Sequence, residues 1–364
     1  MSKPALDRSQ IVQCLSRIQD PYTAQPLGAK QLKSFAADDS HLHVVLELAY
    51  PAQRFGKGLA MLVAAQFEAL FAGKITVDIE WQVTRQPVAN QSAAMPNVKN
   101  IIAVASGKGG VGKSTTAVNL ALAMAQEGAR VGILDADIYG PSQGMMLGIP
   151  VGTKPETIDN KWFVPIKAHG IQAMSMAFLV NDKTPMVWRG PMVSGALQQL
   201  LTQTQWDDID YLVVDMPPGT GDIQLTFAQK VPATGAVIVT TPQDIALLDA
   251  KKGIEMFRKV NIPVLGVVEN MALHICSNCG HAEHIFGEGG GSRLAEEYGV
   301  STLASMPLDI HIREQADGGA PTVVADPDSE VALQYLMMAR QVMANVSLLN
   351  EGKTTIPTIT VSDD

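Results

Sequence analysis

Two short stretches of this chain carry residue types whose spacing could do chemistry. The first, Gly107-Lys108-Gly109-Gly110-Val111-Gly112-Lys113-Ser114, matches the pattern G-x-x-x-x-G-K-[ST] in full. Its glycines let the backbone curl until successive N–H groups point inward and cradle phosphate oxygens. A helix starting at Lys113 adds the positive end of its dipole. Lys113 then reaches the β and γ phosphates of a nucleotide, and the Ser114 hydroxyl ligates Mg2+. The second stretch is Cys276-Ser277-Asn278-Cys279, followed by Gly280 and His281. At this spacing two thiolates can turn toward one metal, because the loop bends back within four residues. Two ligands are half of a tetrahedral set.

The missing half has more than one source. An identical subunit across a two-fold axis would bring four thiolates around one bridging [4Fe–4S] cluster. A zinc site closed within one chain would use Cys276 and Cys279 with His274, His281 or His284. A redox dithiol fits less well, since the pair is not at a thioredoxin-like helix start, and two plain structural cysteines complete the alternatives. Cys14 sits on the apolar face of a helical pattern with Ile11, Leu15 and Ile18 and reads as core. The seventeen methionines, as in Leu336–Met343, also read as core.

Acids stand where a nucleotide site needs them. Asp215 ends the apolar run Val213-Val214, which places it near the metal. Its sequel, Met216-Pro217-Pro218-Gly219-Thr220-Gly221-Asp222, is rigid at the prolines and pliable at the glycines, which suits a loop that senses the γ-phosphate. Asp135 and Asp137 follow another apolar strand; a carboxylate there stabilises hydrated Mg2+ or orients the attacking water. The bland alternative for all three is helix capping. Lys108 is a second lysine inside the loop. Within one subunit its charge duplicates Lys113, whereas across a dimer it could reach the partner's phosphates.

The elements around these residues alternate. From residue 99 onward, apolar strands (98–106, 130–135, 211–215, 236–241, 264–269, 302–306) are separated by helices (113–127, 245–260, 291–298, 329–345). Apolar runs without polar alternation, divided by helices, predict an α/β fold: a mostly parallel sheet covered on both faces. Before them, a helix near Ile11–Ile18, strands at 29–35 and 41–48, a helix at 56–71 and a strand at 75–83 predict a small α/β domain. The expected organisation is a small domain over 1–86, a linker over 87–98, a nucleotide-binding domain over 99–349 and a mobile tail over 350–364.

Composition narrows the class. The 364 residues hold 27 Lys and Arg against 36 Asp and Glu, a formal charge of −9. Residues 1–90 are nearly neutral, with nine basic and eight acidic side chains, so the acidity belongs to the rest. That sign argues against nucleic acid or an anionic membrane as a partner. No apolar run reaches the roughly 18 residues of a spanning helix, and the first residues show no secretory signal. Three cysteines rule out a disulfide scaffold and fit a reducing compartment, so the expected location is cytoplasmic.

The strings GKGGVGKST (107–115), DADIYGPS (135–142), WRGPMVSGALQQL (188–200), DMPPGTGD (215–222) and ENM…CSNCGH…IFGEGGG (269–291) resemble the deviant-Walker P-loop ATPases typified by MinD. The likeness is closer to the Mrp/ApbC group of iron–sulfur cluster carriers. Residues 1–86, with Asp20-Pro21 and Leu27-Gly28, look more loosely like the MIP18-type assembly domain that bacterial members carry. The resemblance implies a P-loop NTPase fold, ATP with Mg2+, and slow hydrolysis involving Lys108, Lys113, Asp137 and Asp215. It implies nucleotide contacts from 107–115, Asp135 and Asn270, with Asn270 on the adenine. The split between Asp135 and Asp137 stays open. It further implies a labile [4Fe–4S] cluster held by Cys276 and Cys279 across a homodimer and passed from an assembly scaffold to apo-proteins. A MinD-like positioning switch is the runner-up; its usual basic amphipathic C-terminal helix has no counterpart in the acidic ending TITVSDD. A metabolic enzyme of the dethiobiotin synthetase type leaves the cysteine loop without a purpose.

Overall fold

The computed structural model describes residues 6–86, 95, 97–179, 190–276 and 278–349. The tail 350–364, most of the expected linker, and Trp188, Arg189 and Ser277 lie outside the described residues.

The chain begins with α1 (Arg8–Leu15), β1 (Leu32–Ala37), β2 (His41–Leu48), α2 (Gly56–Phe67) and β3 (Lys74–Trp81). Asp7 caps α1, accepting from the Gln10 N–H at 2.8 Å while Gln10 Oε1 accepts from the Asp7 N–H at 3.1 Å. The three strands form one sheet in the order β1-β2-β3, β1 antiparallel and β3 parallel to β2. Leu42, Val44, Leu46 and Leu48 alternate inward along β2. β1 starts at Leu32 rather than Ala29, because the Leu32 N–H closes a turn onto the Gly28 carbonyl at 3.1 Å. Cys14 is buried, its Sγ 3.4 Å from the Gln66 carbonyl.

A second, larger sheet follows. Its first half comprises β4 (Val98–Ala105), α3 (Lys113–Gln126), β5 (Val131–Asp135), α4 (Gln143–Met146), a hairpin of β6 (Thr157–Ile158) and β7 (Trp162–Phe163), β8 (Ile166–Ala168), β9 (Ile171–Ser175) and α5 (Gly190–Gln203). Next come β10 (Ile209–Asp215), α6 (Asp222–Lys230), β11 (Gly235–Thr240), α7 (Asp244–Lys259) and β12 (Val264–Glu269). A small hairpin of β13 (His274–Ile275) and β14 (Ala282–Glu283) precedes α8 (Gly290–Tyr298), β15 (Thr302–Ser305), α9 (Ile310–Asp317), α10 (Thr322–Ala325) and α11 (Glu330–Leu348).

The strand order is β15-β12-β11-β4-β10-β5-β9-β8, parallel throughout except for β8 against β9. Every residue of β10 and β11 is buried, which is why Tyr211–Val214 and Ala236–Val239 read as unbroken apolar runs. The chain leaves β4 toward β5 over α3, and later steps the other way from β11 to β12 over α7. Right-handed crossovers therefore put α3 and α7 on opposite faces. The order reverses at β4, so its carboxyl end opens into the crevice where such sheets bind ligands.

Candidate nucleotide site and cysteine loop

Residues 106–112 run from the end of β4 into α3. Gly112 caps α3 with φ 81°, a left-handed conformation that suits glycine, and Gly110 shares it. Gly107 has no room for a side chain, since a Cβ there would overlap the Asp249 backbone of α7. The loop after β10 is bonded to this turn: the Gly219 N–H donates to the Ser106 carbonyl at 2.9 Å. Thr115 completes the segment inside the first turn of α3, its carbonyl accepting from Asn119 Nδ2 at 3.0 Å.

Strand register gathers the charges. Asp215 of β10 lies opposite Asp135 of β5 and Val104 of β4. Lys113, 6% exposed, donates from Nζ to Asp215 Oδ1, with Ser114 Oγ at 3.3 Å and Asp137 Oδ2 at 4.0 Å. The two acids after β5 differ sharply. Asp135 is fully buried and occupied: it accepts from the N–H groups of Asp137 (3.1 Å), Ser142 (2.9 Å) and Gln143 (3.0 Å) and from Ser175 Oγ (3.2 Å). Burial first, then the Asp215 charge, pushes its carboxyl up to about 7, against the N–H groups that favour its ionised form. Asp137 keeps one oxygen toward Lys113; burial raises its pKa as well, and Lys113 opposes the rise. Asp135 is thus spent within its own loop, while Asp137 faces Lys113.

Lys108 points away from Lys113, its Nζ 3.4 Å from Gln243 Oε1 at the start of α7. Two polar atoms beside the carboxylates, Ser142 Oγ and Gln143 Oε1, are buried without a hydrogen-bond partner among the described residues. With the Ser114 hydroxyl and Asp215 they make an all-oxygen set of the kind a hydrated Mg2+ takes, so the residues fit the ion.

The cysteines sit in the loop between β12 and α8. Cys276 is half-buried and Cys279 exposed. The Cys276 N–H donates to the His281 carbonyl at 2.9 Å and the Gly280 N–H returns to the Cys276 carbonyl at 2.8 Å, so the loop does fold back. The N–H groups of Asn278 and then Cys279 hold the Cys276 thiol below its usual range. His274 Nδ1 lies 3.0 Å from the Leu308 carbonyl and His284 Nδ1 2.7 Å from the Ala272 carbonyl. Among the described residues no group of three or more His, Cys, Asp and Glu is placed to hold a metal ion.

A family model described as ParA: NUBPL iron-transfer P-loop NTPase matches residues 97–343. This chain belongs to that family. An iron–sulfur cluster carrier protein of Pseudomonas fragi is 72% identical over 263 residues, 72% of this chain and 92% of that protein. One from Escherichia coli K12 is 51% identical over 349 residues, 94% and 93% of the two chains. The iron–sulfur cluster transfer protein NUBPL of Mus musculus is 48% identical over 297 residues, covering 79% and 92%. Among solved structures, a nucleotide-binding protein from Archaeoglobus fulgidus in complex with ADP is 38% identical with a TM-score of 0.56, over 64% of this chain and 90% of that one. The cell division ATPase MinD of Pyrococcus furiosus shares the fold at 22% identity and a TM-score of 0.51, over 67% of this chain and 98% of that one. The expected P-loop NTPase fold, with a mostly parallel sheet between helices, is the observed one.

Two residues of the site carry no motif signal. Gln143 and Gln243 are neutral amides that the fold brings to charged partners. Glu269, buried at the end of β12, accepts from the Gly291 N–H at 2.8 Å and so pins both ends of the cysteine loop.

Proposed function

We propose that this chain is a cytoplasmic, homodimeric ATPase that carries a labile [4Fe–4S] cluster and delivers it to apo-proteins. Residues 1–86 and 99–349 would be its two domains. The observation that carries the reading is the cysteine loop: its backbone folds back on itself and presents two free thiols, one half-buried and one exposed, within a single turn. A second copy supplies what one chain lacks, four thiolates around one cluster. The names of the relatives support the cargo, and the ADP complex of the Archaeoglobus protein supports the nucleotide.

In this reading the loop 107–115 cradles ATP, and phosphate oxygens replace Asp215 as the partner of Lys113. Mg2+ held through Ser114, when bound, neutralises charge on the β and γ phosphates. Asp215 orders the metal side, Asp137 positions the attacking water, and Asn270 meets the adenine. Lys108, whose Nζ donates to the neutral amide of Gln243, is released to reach the phosphates of the partner subunit. ATP at the dimer interface then acts on the same interface that grips the cluster, so hydrolysis loosens that grip.

Anaerobic reconstitution with iron and sulfide, with iron, sulfide and zinc counted per dimer, tests the cargo. Four irons and four sulfides per dimer are expected, lost in Cys276→Ala with nucleotide binding retained. Zinc at one per chain, or an unchanged cluster absorbance in Cys276→Ala, would overturn it. Lys113→Ala tests the coupling: transfer to an apo-protein that no longer responds to ATP is expected, and an unaltered response sinks the idea.

A further inference from the structure

Gln143, the first residue of α4, is 1% exposed. Its Nε2 donates to the Ser114 carbonyl at 3.0 Å and to Asp215 Oδ2 at 2.8 Å. Both N–H bonds of the amide are spent on oxygens that can only accept, so its orientation is fixed: turned over, Oε1 would face a carbonyl and a carboxylate. Oε1 is therefore left buried and unpaired. The neighbouring Ser142 Oγ is also buried and unpaired, although the N–H groups of both residues are bonded to Asp135. Buried polar atoms of this kind are exceptions in folded proteins and mark places where something else completes the bond.

We propose that Gln143 is a positioning residue for Mg2+ at the nucleotide site. It holds Asp215 through Nε2 and accepts through Oε1 from a water carried by the ion; the Ser142 hydroxyl meets the same hydration shell. In the structure Asp215 is clamped from two sides, Oδ1 by Lys113 and Oδ2 by Gln143, and once phosphate takes over Lys113 it is Gln143 that keeps the carboxylate oriented. Gln143 also joins the Asp135–Ser142 loop to α3 through the Ser114 carbonyl, so the ion's arrival is felt next to Asp137. The assignment rests on reading residues 107–114 as the phosphate loop.

The test is the ratio of dissociation constants for N-methylanthraniloyl-ADP in EDTA and in saturating Mg2+, measured by fluorescence on the full chain. Gln143→Met should lower that ratio about tenfold, equivalent to about 1.4 kcal/mol, and Ser142→Ala should lower it in the same direction. A merely structural amide would shift both constants together and leave the ratio unchanged, which overturns the proposal. Should Gln143→Met fail to fold, Ser142→Ala decides, since its hydroxyl makes no bond among the described residues. Failure of the unaltered chain to bind the nucleotide at all would overturn the phosphate-loop reading itself, before any variant is compared.

Discussion

Asn270 Nδ2 donates a hydrogen bond to the Val111 carbonyl at 2.9 Å, tying the start of the cysteine loop to the backbone of the phosphate loop. The Asn270 N–H is held in turn by the Thr240 carbonyl at 2.7 Å. The next residue, Met271, sits at φ 58°, so the chain turns sharply there toward the thiols. The phosphate loop is thus joined by one side chain to the segment 271–275 that leads to Cys276.

Gly112 sits under that contact. Any Cβ at residue 112 would overlap Asn270 Nδ2, and its φ of 81° already disfavours an L side chain. Gly112→Ala should cost about 1–3 kcal/mol from the backbone alone and weaken nucleotide binding more than tenfold. Urea denaturation and a nucleotide titration check both; wild-type values in each would contradict this geometry.

Lys113 supplies the buried ammonium that faces Asp215. Removing one member of such a pair leaves an uncompensated charge, so Lys113→Ala should lose about 3–5 kcal/mol of stability along with nucleotide binding. Thermal and urea unfolding measure the first effect independently of the second.

Arg340 of α11 joins the first sheet's elements to the second's. Its Nε donates to buried Glu127 at 2.7 Å, its NH1 group donates to Tyr22 Oη at 2.9 Å, and its guanidinium lies 5.3 Å from the Phe55 ring centre. Arg340→Ala should cost about 3–5 kcal/mol. Arg340→Lys should rescue little of it, because an ammonium cannot fork onto a carboxylate and stack at once. A lysine variant with full stability in urea would show that charge alone suffices.

Asp210 gives a pH signature. Burial pushes its carboxyl up, but the Arg130 guanidinium (3.0 Å) and the Lys99 ammonium (2.9 Å) outweigh it and hold it below the usual range. A depressed folded pKa contributes stability above the unfolded value of about 3.9, lost as pH falls through the folded one. Asp210→Asn should therefore cost about 1–2 kcal/mol at neutral pH, a modest figure because Arg130 is half exposed. The difference from wild type should shrink below about pH 4, as read from denaturation at a series of pH values.

Much of the architecture is legible in the sequence. The strands at the centre of the large sheet carry apolar runs without alternation, such as Ile101–Ala105 and Tyr211–Val214, because helices cover both faces, and β2 alternates because only one side of its sheet is covered. Short edge elements were not legible. β8 and β9 span three and five residues, too few for a period to emerge, and the α4 segment Gln143–Met146 is a single turn. α2 ends four residues before the expected Phe71, since continuous apolar composition does not say where backbone bonding stops.

The phosphate-loop motif and the cysteine pair are local facts: a turn that needs glycines and a loop that needs two thiols leave their mark on consecutive residues. Long-range relations leave none. That Asp215 lies beside Asp135 follows from strand register, and that Asp135 is spent on three N–H groups while Asp137 looks toward Lys113 follows from how one loop folds. The amide of Gln143 and the carbonyl of Val111 gain their partners only when distant strands close side by side. A neutral side chain has no chemistry to announce until burial strips it of water and fixes which atom faces which.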